Sequence, residues 1–238
     1  MKVLFAITTL NQNNYTKQCL ESLRGCEGID IEIWDDCSTE NVNDLVSMFG
    51  AKFYTKKNPK GLTDSWNRIY RRFKKSKYEA CFISNNDIVT TPSAVRQMII
   101  ALQSNTLIVP VSSIKSVSGF LEQTTYRYGV PDLMANNPFQ VNMVQNMLLR
   151  KHKDNPYSKL PRFHGFFFGF NRKIFSQEYD EDHLFNPNHI NVGNEDELSE
   201  RLTIRPVVVK TAFVFHYKAV TLGHDSEGDR NILSRFHK

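Results

Sequence analysis

The chain has 238 residues, 40% of them hydrophobic and 23% charged. That is a globular composition, long enough for one large domain with its own core, and it excludes a disordered chain. Thirty Lys and Arg against 25 Asp and Glu leave a net charge of +5, which favours an anionic partner such as a phosphate, a nucleotide or an acidic lipid surface; without a long basic stripe interleaved with aromatics, it does not point to nucleic acid.

At the N-terminus "KVLFAIT" reads as a central strand. The run is too short to span a bilayer and lacks a small-residue cleavage site. "NYTKQCLESLRGC" follows as a helix with Cys19, Leu20 and Leu23 on one face and Gly25 as its stop. "IDIEIW" alternates as a strand does and ends at Asp35 and Asp36. "NVNDLVSMFG" is a short amphipathic helix closed by Gly50, and "AKFYT" a third strand. "GLTDSWNRIYRRF" spaces Leu62, Trp66, Ile69, Tyr70 and Phe73 as a helix does. It runs into "RRFKKSKY", Arg71 to Tyr78, a solvated helix end with cations at the negative pole of the dipole; membrane-surface contact is the alternative, peripheral at most. "EACFIS" is a fourth strand, "PSAVRQMIIALQS" a helix with Pro92 in its first turn, and "TLIVPV" a fifth strand.

Beyond residue 111 the rhythm loosens. Between loops, one helix is expected at "FQVNMVQNMLLRK". "FHGFFFGFNRKIF" is the densest aromatic stretch, "NEDELSERL" a short helix with an acidic first turn, and "PVVVKTAFVFHY" a long β-rich run. The end of the chain, 217–238, reads as a tail or flap. Cys19, Cys26, Cys37 and Cys81 match no zinc template and no Cys-x-x-Cys pair, as expected of reduced thiols in a cytosolic protein.

Strands alternating with helices imply an α/β domain with a mostly parallel central sheet flanked by helices. Such sheets bind ligands outside the carboxyl ends of their strands. Polar side chains collect at those ends here: Thr8, Thr9 and Asn11 after the first strand, Asp35 and Asp36 after the second, Asn85, Asn86 and Asp87 after the fourth. No G-x-G-x-x-G and no G-x-x-x-x-G-K-[ST] occurs, so neither a dinucleotide fold nor a P-loop is indicated.

"FAITTLNQNNYTKQCLESL…IEIWDDCST" resembles the opening of family-2 glycosyltransferases, which have the GT-A fold. "NPKGLTDSWNRI", "NND", "GFFFGFNRKIF" and "NEDELSERL" are similar to later pieces of the same pattern, in the same order, over roughly residues 3 to 216. The resemblance implies one domain over 1–238, with a nucleotide-binding half at 1–111 and an acceptor and catalytic half at 112–216. It implies that Thr8, Thr9 and the turn to Asn11 line the nucleotide base and that Asp36 accepts a hydrogen bond from it, most simply from uracil. Gly61 and Asn67 would shape the nucleotide pocket, with Lys60 a phosphate contact, Asn85 a further cofactor-binding residue and Asn86 near the ribose or a metal-bound water. Asp87 would ligate a divalent metal, Mn²⁺ or Mg²⁺, on the donor diphosphate, and His216 would close over the diphosphate or the metal. Glu195 would be the general base, with Asp196 the alternative. The implied partners are a UDP-sugar donor and a saccharide or glycan acceptor, and the implied outcome is inversion at the anomeric centre.

The chemistry suits these residue types. A divalent cation stabilises the charge that develops on a departing diphosphate, a contribution of several kcal/mol. A carboxylate that removes the acceptor proton typically contributes ~10²–10⁴-fold. The chain departs from the family pattern in carrying one Asp in the metal motif, and in reading Asn-Glu-Asp at the base element, which leaves two candidates for one role. Phe166 to Phe168 and Tyr126 to Tyr128 are candidate platforms for sugar rings, with core packing the alternative for the phenylalanines. Each polar motif has a structural alternative: Asp35 and Asp36 as turn residues with Ser38 and Thr39 capping the next helix, "NND" as a turn before a helix, Glu195 to Glu197 as acids favoured by a helix N-terminus, and His216 as a satisfied core histidine. A nucleotide-sugar-binding protein that has lost catalysis is the second reading. A nucleotidyltransferase would need a Gly-rich basic loop after the first strand, and "TTLNQNN" supplies none.

Overall fold

In the computed structural model, which describes residues 1–118, 120–132 and 137–218, the first strand sets the architecture. β1 (Val3–Thr9) is buried at every position, as a strand covered by helices on both faces must be. Its alternate side chains feed two separate cores. Leu4 and Ala6 join Trp66, Ile69, Tyr70 and Phe73 of α3 (Leu62–Lys74). Val3, Phe5 and Ile7 join Cys19 and Leu20 of α1 (Asn13–Ser22) and Val95 and Met98 of α4 (Pro92–Ala101).

The remaining elements are β2 (Ile29–Asp35), α2 (Asn43–Phe49), β3 (Lys52–Thr55), β4 (Ala80–Asn85), β5 (Ile88–Val89), β6 (Leu107–Val111), α5 (Pro138–His152), β7 (Tyr157–Lys159), β8 (Phe167–Asn171), α6 (Asn194–Arg201), β9 (Val207–Phe213) and β10 (Phe215–His216). Eight strands form one sheet in the order β3-β2-β1-β4-β8-β6-β9-β7. β1 to β4, β6 and β9 run one way; β8 and β7 run against them.

The helices follow their sequence signals. Thr91 caps α4, its hydroxyl accepting the Ala94 N–H at 3.1 Å, with Pro92 in the first turn. Gly50 ends α2 in the left-handed conformation. α5 is pinned to the sheet by buried Gln145, which donates to Thr211 O at 2.8 Å and accepts from Phe213 N at 2.8 Å.

Three strands, β5, β7 and β8, and one break lie beyond what periodicity indicated. β8 crosses the aromatic run antiparallel between β4 and β6. Gly169 sits opposite Phe82 in register, and the Phe82 ring occupies the space a side chain at 169 would need. The long β-rich run at 207–216 is divided at Val214, whose N–H donates to Val111 O at 3.0 Å and whose carbonyl accepts from the Ser112 hydroxyl at 2.5 Å. That division hands Phe215 and His216 to a two-stranded ribbon with β5.

The basic run at 71–78 is largely tied inward: Arg72 pairs with buried Glu32 at 3.2 Å, Lys74 with Glu178 at 2.7 Å, and Arg71 donates to Asp182 O at 3.4 Å. Lys75 and Lys77 of the same run stay exposed, as a solvated helix end requires. No helix among the described residues is long and apolar enough to cross a membrane. No disulfide joins the four cysteines, and Cys19 and Cys81 are buried. Apart from Tyr217 and Lys218, the expected tail lies outside the described residues.

Candidate active site

A cleft of about 430 Å³ opens at the carboxyl ends of β1, β2 and β4 and is closed on its other side by the segments 164–166, 191–196 and 216–218. Thr8, Thr9, Asp36, Asn85, Asn86, Asp87, Glu195, Asp196 and His216 all line it, so the structure brings nine of the expected residues together. Asn11, Lys60, Gly61 and Asn67 are not among its lining residues.

The reason those four stand back is visible in their bonds. Asn11, in the left-handed region at φ 58°, ties the β1–α1 turn to the loop after β2: its Oδ1 accepts from Thr39 N (2.8 Å), Thr39 Oγ1 (3.0 Å) and Glu40 N (3.3 Å). Asn67 is buried in α3, donates to Phe185 O at 2.9 Å, and accepts from Leu184 N at 3.1 Å and Phe185 N at 2.9 Å. It fastens the 184–185 segment to the helix and is not among the residues that line the cleft. Lys60 and Gly61 present their backbone N–H groups to Asp36, at 2.9 and 2.8 Å. The Lys60 side chain borders a different depression, beside His183 and His189. Gly61 has φ 87°, and a Cβ there would stand 2.5 Å from Ile190 Cγ2 and 2.8 Å from Ile190 O, so only glycine fits.

Asp35 and Asp36 divide their duties. Asp35 accepts from Ser38 N at 3.1 Å, from the Ser38 hydroxyl, and from Thr55 Oγ1 at 2.7 Å, closing the turn and tying β2 to β3. Ser38 and Thr39 do not cap α2, whose N-cap is Val42. Asp36 is held by the two loop N–H groups and by Lys56 Nζ at 2.7 Å. Buried Lys56 also reaches Asp64 Oδ2 at 2.9 Å and Gly61 O at 3.0 Å. Asn86 is likewise engaged, donating to Thr9 Oγ1 (3.1 Å) and Thr16 Oγ1 (2.9 Å).

Asp87 and His216 form the cleft's most distinctive pair. The β5–β10 ribbon places His216 opposite Ile88, with Nε2 3.1 Å from Asp87 Oδ1, both side chains buried. His216 Nδ1 meets Ser116 O at 3.1 Å, which assigns the proton to Nδ1 and, in the neutral ring, leaves the Nε2 lone pair facing a carboxylate. Phe166 stacks on the imidazole, centroids 4.8 Å apart and planes 8° apart. Asn85 lies 3.4 Å away through Nδ2, and its buried Oδ1 has no partner. Two facing electron-rich atoms and an orphaned amide oxygen suit a cation. Among the described residues no group of three or more His, Cys, Asp or Glu is arranged around a metal position.

Glu195 enters the cleft from the first turn of α6. That turn is docked on the N-terminus of α3: Thr63 N donates to Ile190 O (3.0 Å), Leu62 N to Asn191 Oδ1 (3.0 Å), and Asn194 Nδ2 to Thr63 Oγ1 (3.0 Å). These bonds satisfy N–H groups that a helix start leaves open. Glu195 Oε1 accepts the Gly165 N–H at 3.3 Å. A Cβ on Gly165 would lie 2.9 Å from Trp66 Cη2 and 3.4 Å from the Glu195 carboxyl, so the missing side chain leaves room for both. Burial pushes the Glu195 carboxyl above the usual carboxylate range and the Asp196 charge adds to it, against the Gly165 and Glu195 N–H groups and Arg162. Asp196 is exposed and paired with Arg162 at 3.1 Å.

His164 was not singled out by sequence reasoning. Gln123 holds its backbone, accepting from His164 N at 2.9 Å. Burial, with the neighbouring His216 ring and the Lys218 charge, lowers the ring to about 4. A lone His ahead of a Gly and an aromatic run was the only signal available. Phe166, Phe167 and Phe168 are buried and belong to the two cores, as the packing reading of that run has it, and Phe166 also lines the cleft. Tyr126 is exposed and lies outside the cleft lining.

A mostly parallel sheet with this cleft at its carboxyl ends, an Asp–His pair and a half-buried acid opposite, is the GT-A fold of nucleotide-sugar transferases. The chain belongs to glycosyl transferase family 2, whose pattern matches residues 5–178, and so carries a glycosyltransferase domain. Among solved structures it is similar to GalNAc-T7 with UDP, GalNAc and Mn²⁺ (12% identity, TM-score 0.65, covering 91% of this chain and 44% of that one). It is also similar to S. aureus TarS 1–349, at 14% identity and TM-score 0.60, covering 100% of this chain and 71% of that one. The same TarS fragment in complex with UDP-GlcNAc gives 13% identity and TM-score 0.57 over 100% and 72%. The chain thus spans less than half the length of the GalNAc-T7 chain. Compared by sequence with curated proteins, it matches none.

Proposed function

We propose that this cleft moves a sugar from a nucleoside-diphosphate donor, a UDP-sugar, to a hydroxyl of a saccharide or glycan, inverting the anomeric centre. The observation that carries this reading is the placement of Glu195. Its carboxyl is bonded to Gly165, while the next residue, Phe166, stacks on the imidazole facing Asp87. A base and a cation-type pair therefore flank one short stretch of cleft wall.

Asp87 and His216 would hold a divalent cation. Their facing atoms are 3.1 Å apart, close to the ~3 Å between adjacent ligands of a six-coordinate Mg²⁺-sized ion. Two protein donors leave the other positions to water and diphosphate oxygens, the habit of such ions at phosphate sites. Bound there, the cation would stabilise the charge developing on the leaving diphosphate, a contribution of several kcal/mol. Thr8, Thr9 and Asp36 border the nucleotide. Asp36 keeps the loop at Lys60 and Gly61 in place, so its contribution to the base is through that loop as well as through its one less occupied oxygen.

The Glu195 carboxylate takes the acceptor's proton as that oxygen bonds to the anomeric carbon. The bond from that carbon to the β-phosphate oxygen breaks, and its electron pair leaves with the nucleoside diphosphate. Burial raises the basicity of Glu195, which brings it nearer to matching a hydroxyl near neutral pH. Asp196, exposed and paired with Arg162, is the less suited of the two acids.

Turnover of labelled UDP-sugars with Mn²⁺, repeated after chelation and with the product anomer read by NMR, tests the proposal. Metal-dependent transfer with inversion is expected. Retention at the anomeric centre would overturn the assigned role of Glu195. Tight donor binding without transfer or hydrolysis would favour the binding-protein reading, which the two-donor cation position motivates.

A further inference from the structure

We infer that Lys218 is the cationic side chain that grips the donor's diphosphate; this deepens the reading above and rests on it. Lys218 is the one Lys or Arg among the described residues lining the cleft. The cleft's acids already have their own counter-charges or uses. Asp36 is paired with Lys56 at 2.7 Å and Asp196 with Arg162 at 3.1 Å, while Asp87 faces His216. Among the described residues Lys218 has no hydrogen-bond or ion-pair partner. A nucleoside diphosphate entering this wall meets four carboxylate side chains and this single uncommitted ammonium.

The position of Lys218 is built by the residues before it. Tyr217 N donates to Asp87 O at 3.0 Å, its ring packs edge-on to Tyr15 with centroids 4.8 Å apart, and its hydroxyl donates to Gln18 Oε1 at 3.0 Å. This strap fixes the chain against α1, directly after His216. Lys218 then turns in the left-handed region at φ 62°, a conformation uncommon for residues other than glycine. Lys218 thus follows closely on the Asp87–His216 pair and lines the same cleft, and its charge is felt at His164. The phosphate role expected of Lys60 passes to Lys218, because the Lys60 side chain borders another depression.

The step is simple in its balance. As the bond between the anomeric carbon and the β-phosphate oxygen breaks, negative charge grows on the diphosphate and the Lys218 ammonium hydrogen bonds to it strengthen. Lys218 gives up no proton; the acceptor's proton goes to Glu195.

Titration calorimetry on the full chain with Mn²⁺, using UDP, UMP and uridine as probes, tests the inference. Lys218→Met should weaken UDP binding roughly 10- to 100-fold, the scale of a lost charge-assisted hydrogen bond. UMP should lose less and uridine nothing, and Lys218→Arg should recover most of the loss. Lys218→Gln repeats the comparison with a polar side chain, and unchanged thermal melts exclude a folding effect. Wild-type UDP affinity in Lys218→Met and Lys218→Gln, or an equal loss for uridine, would overturn the inference while leaving the proposed function standing. Failure of the wild-type chain to bind UDP at all would overturn both.

Discussion

The two walls of the cleft are built on opposite principles. On the wall from β1, β2, β4 and α3, the side chains that tie the strand-end loops are saturated by their neighbours: Asn11 by Thr39, Asp35 by Ser38 and Thr55, Asp36 by Lys56 and two backbone N–H groups, Asn86 by Thr9 and Thr16. On the wall from 164–166, α6 and β10, atoms are left wanting. His164 Nδ1 is buried without a partner, the Nε2 of His216 faces a carboxylate, and Glu195 is held above its ordinary carboxyl range by burial. Saturated groups make a stiff frame, whereas unsatisfied ones carry a free-energy cost that a ligand can relieve. On the proposed function, the chemistry would fall to the second wall and the shape to the first.

Glu195→Gln should break this contrast most sharply. Its kcat should fall about 10²–10⁴-fold, the usual worth of a general base, with donor affinity by calorimetry unchanged. The same variant should be more stable above the carboxyl's ordinary pKa. The folded state holds the Glu195 proton to higher pH than the unfolded chain does, so stability falls as pH rises from the unfolded value through the folded one. Glutamine carries no charge to desolvate and removes that loss. A variant that is inactive and melts no higher than the wild type at pH 8 would contradict the burial argument.

Asn67→Ala probes the frame. It leaves Leu184 N, Phe185 N and Phe185 O without their partner inside the protein, at a cost of about 2–4 kcal/mol. The denaturant midpoint should drop accordingly, and UDP affinity at low temperature, where the variant is folded, should match the wild type. A selective loss of nucleotide affinity would return Asn67 to the pocket.

Gly165→Ala should have a smaller effect that falls on chemistry alone. The added methyl meets the Trp66 ring and the Glu195 carboxyl, and displacing a base by a fraction of an ångström costs roughly 10- to 100-fold in kcat. Donor KM should hold, because the Asp87 side of the cleft is untouched. An unchanged kcat would mean that Trp66 yields and Glu195 does not.

Much of the first wall was legible in the sequence because it is periodic. β1 to β4 alternate with α1 to α3 in runs whose apolar spacing reports their faces, and the strand ends mark a cleft by topology alone. What spacing could not report was direction: Asn67 and Asp36 have the same polar look whether they face a ligand or a neighbouring backbone. In the second half α6 and the β-rich run were legible, but two short strands escaped. β8 is an antiparallel insertion whose residues are apolar on both faces, so it has no period to read, and β7 is three residues long. His164 and Lys218 carry no spacing signal, since a turn and a left-handed residue place them. Glu195, Asp87 and His216 were found through the order of the motifs.

Asp196→Asn gives the smallest effect and decides between the two acids at the base element. If Asp196 were the base, transfer would fall about 10²–10⁴-fold. On the assignment to Glu195, kcat at neutral pH should hardly move. The Asp196–Arg162 pair is more than half exposed on both sides, so its loss should cost about 0–1 kcal/mol of stability. The informative change is in the pH profile. The Asp196 charge raises the Glu195 carboxyl and Arg162 lowers it. Removing the first and keeping the second must lower it. Transfer requires the ionised base, so kcat/KM rises with pH through that carboxyl, and in Asp196→Asn the rise should begin at lower pH. A rise displaced to higher pH would mean that the two acids do not share a field, and Glu195 would lose the electrostatic part of its claim.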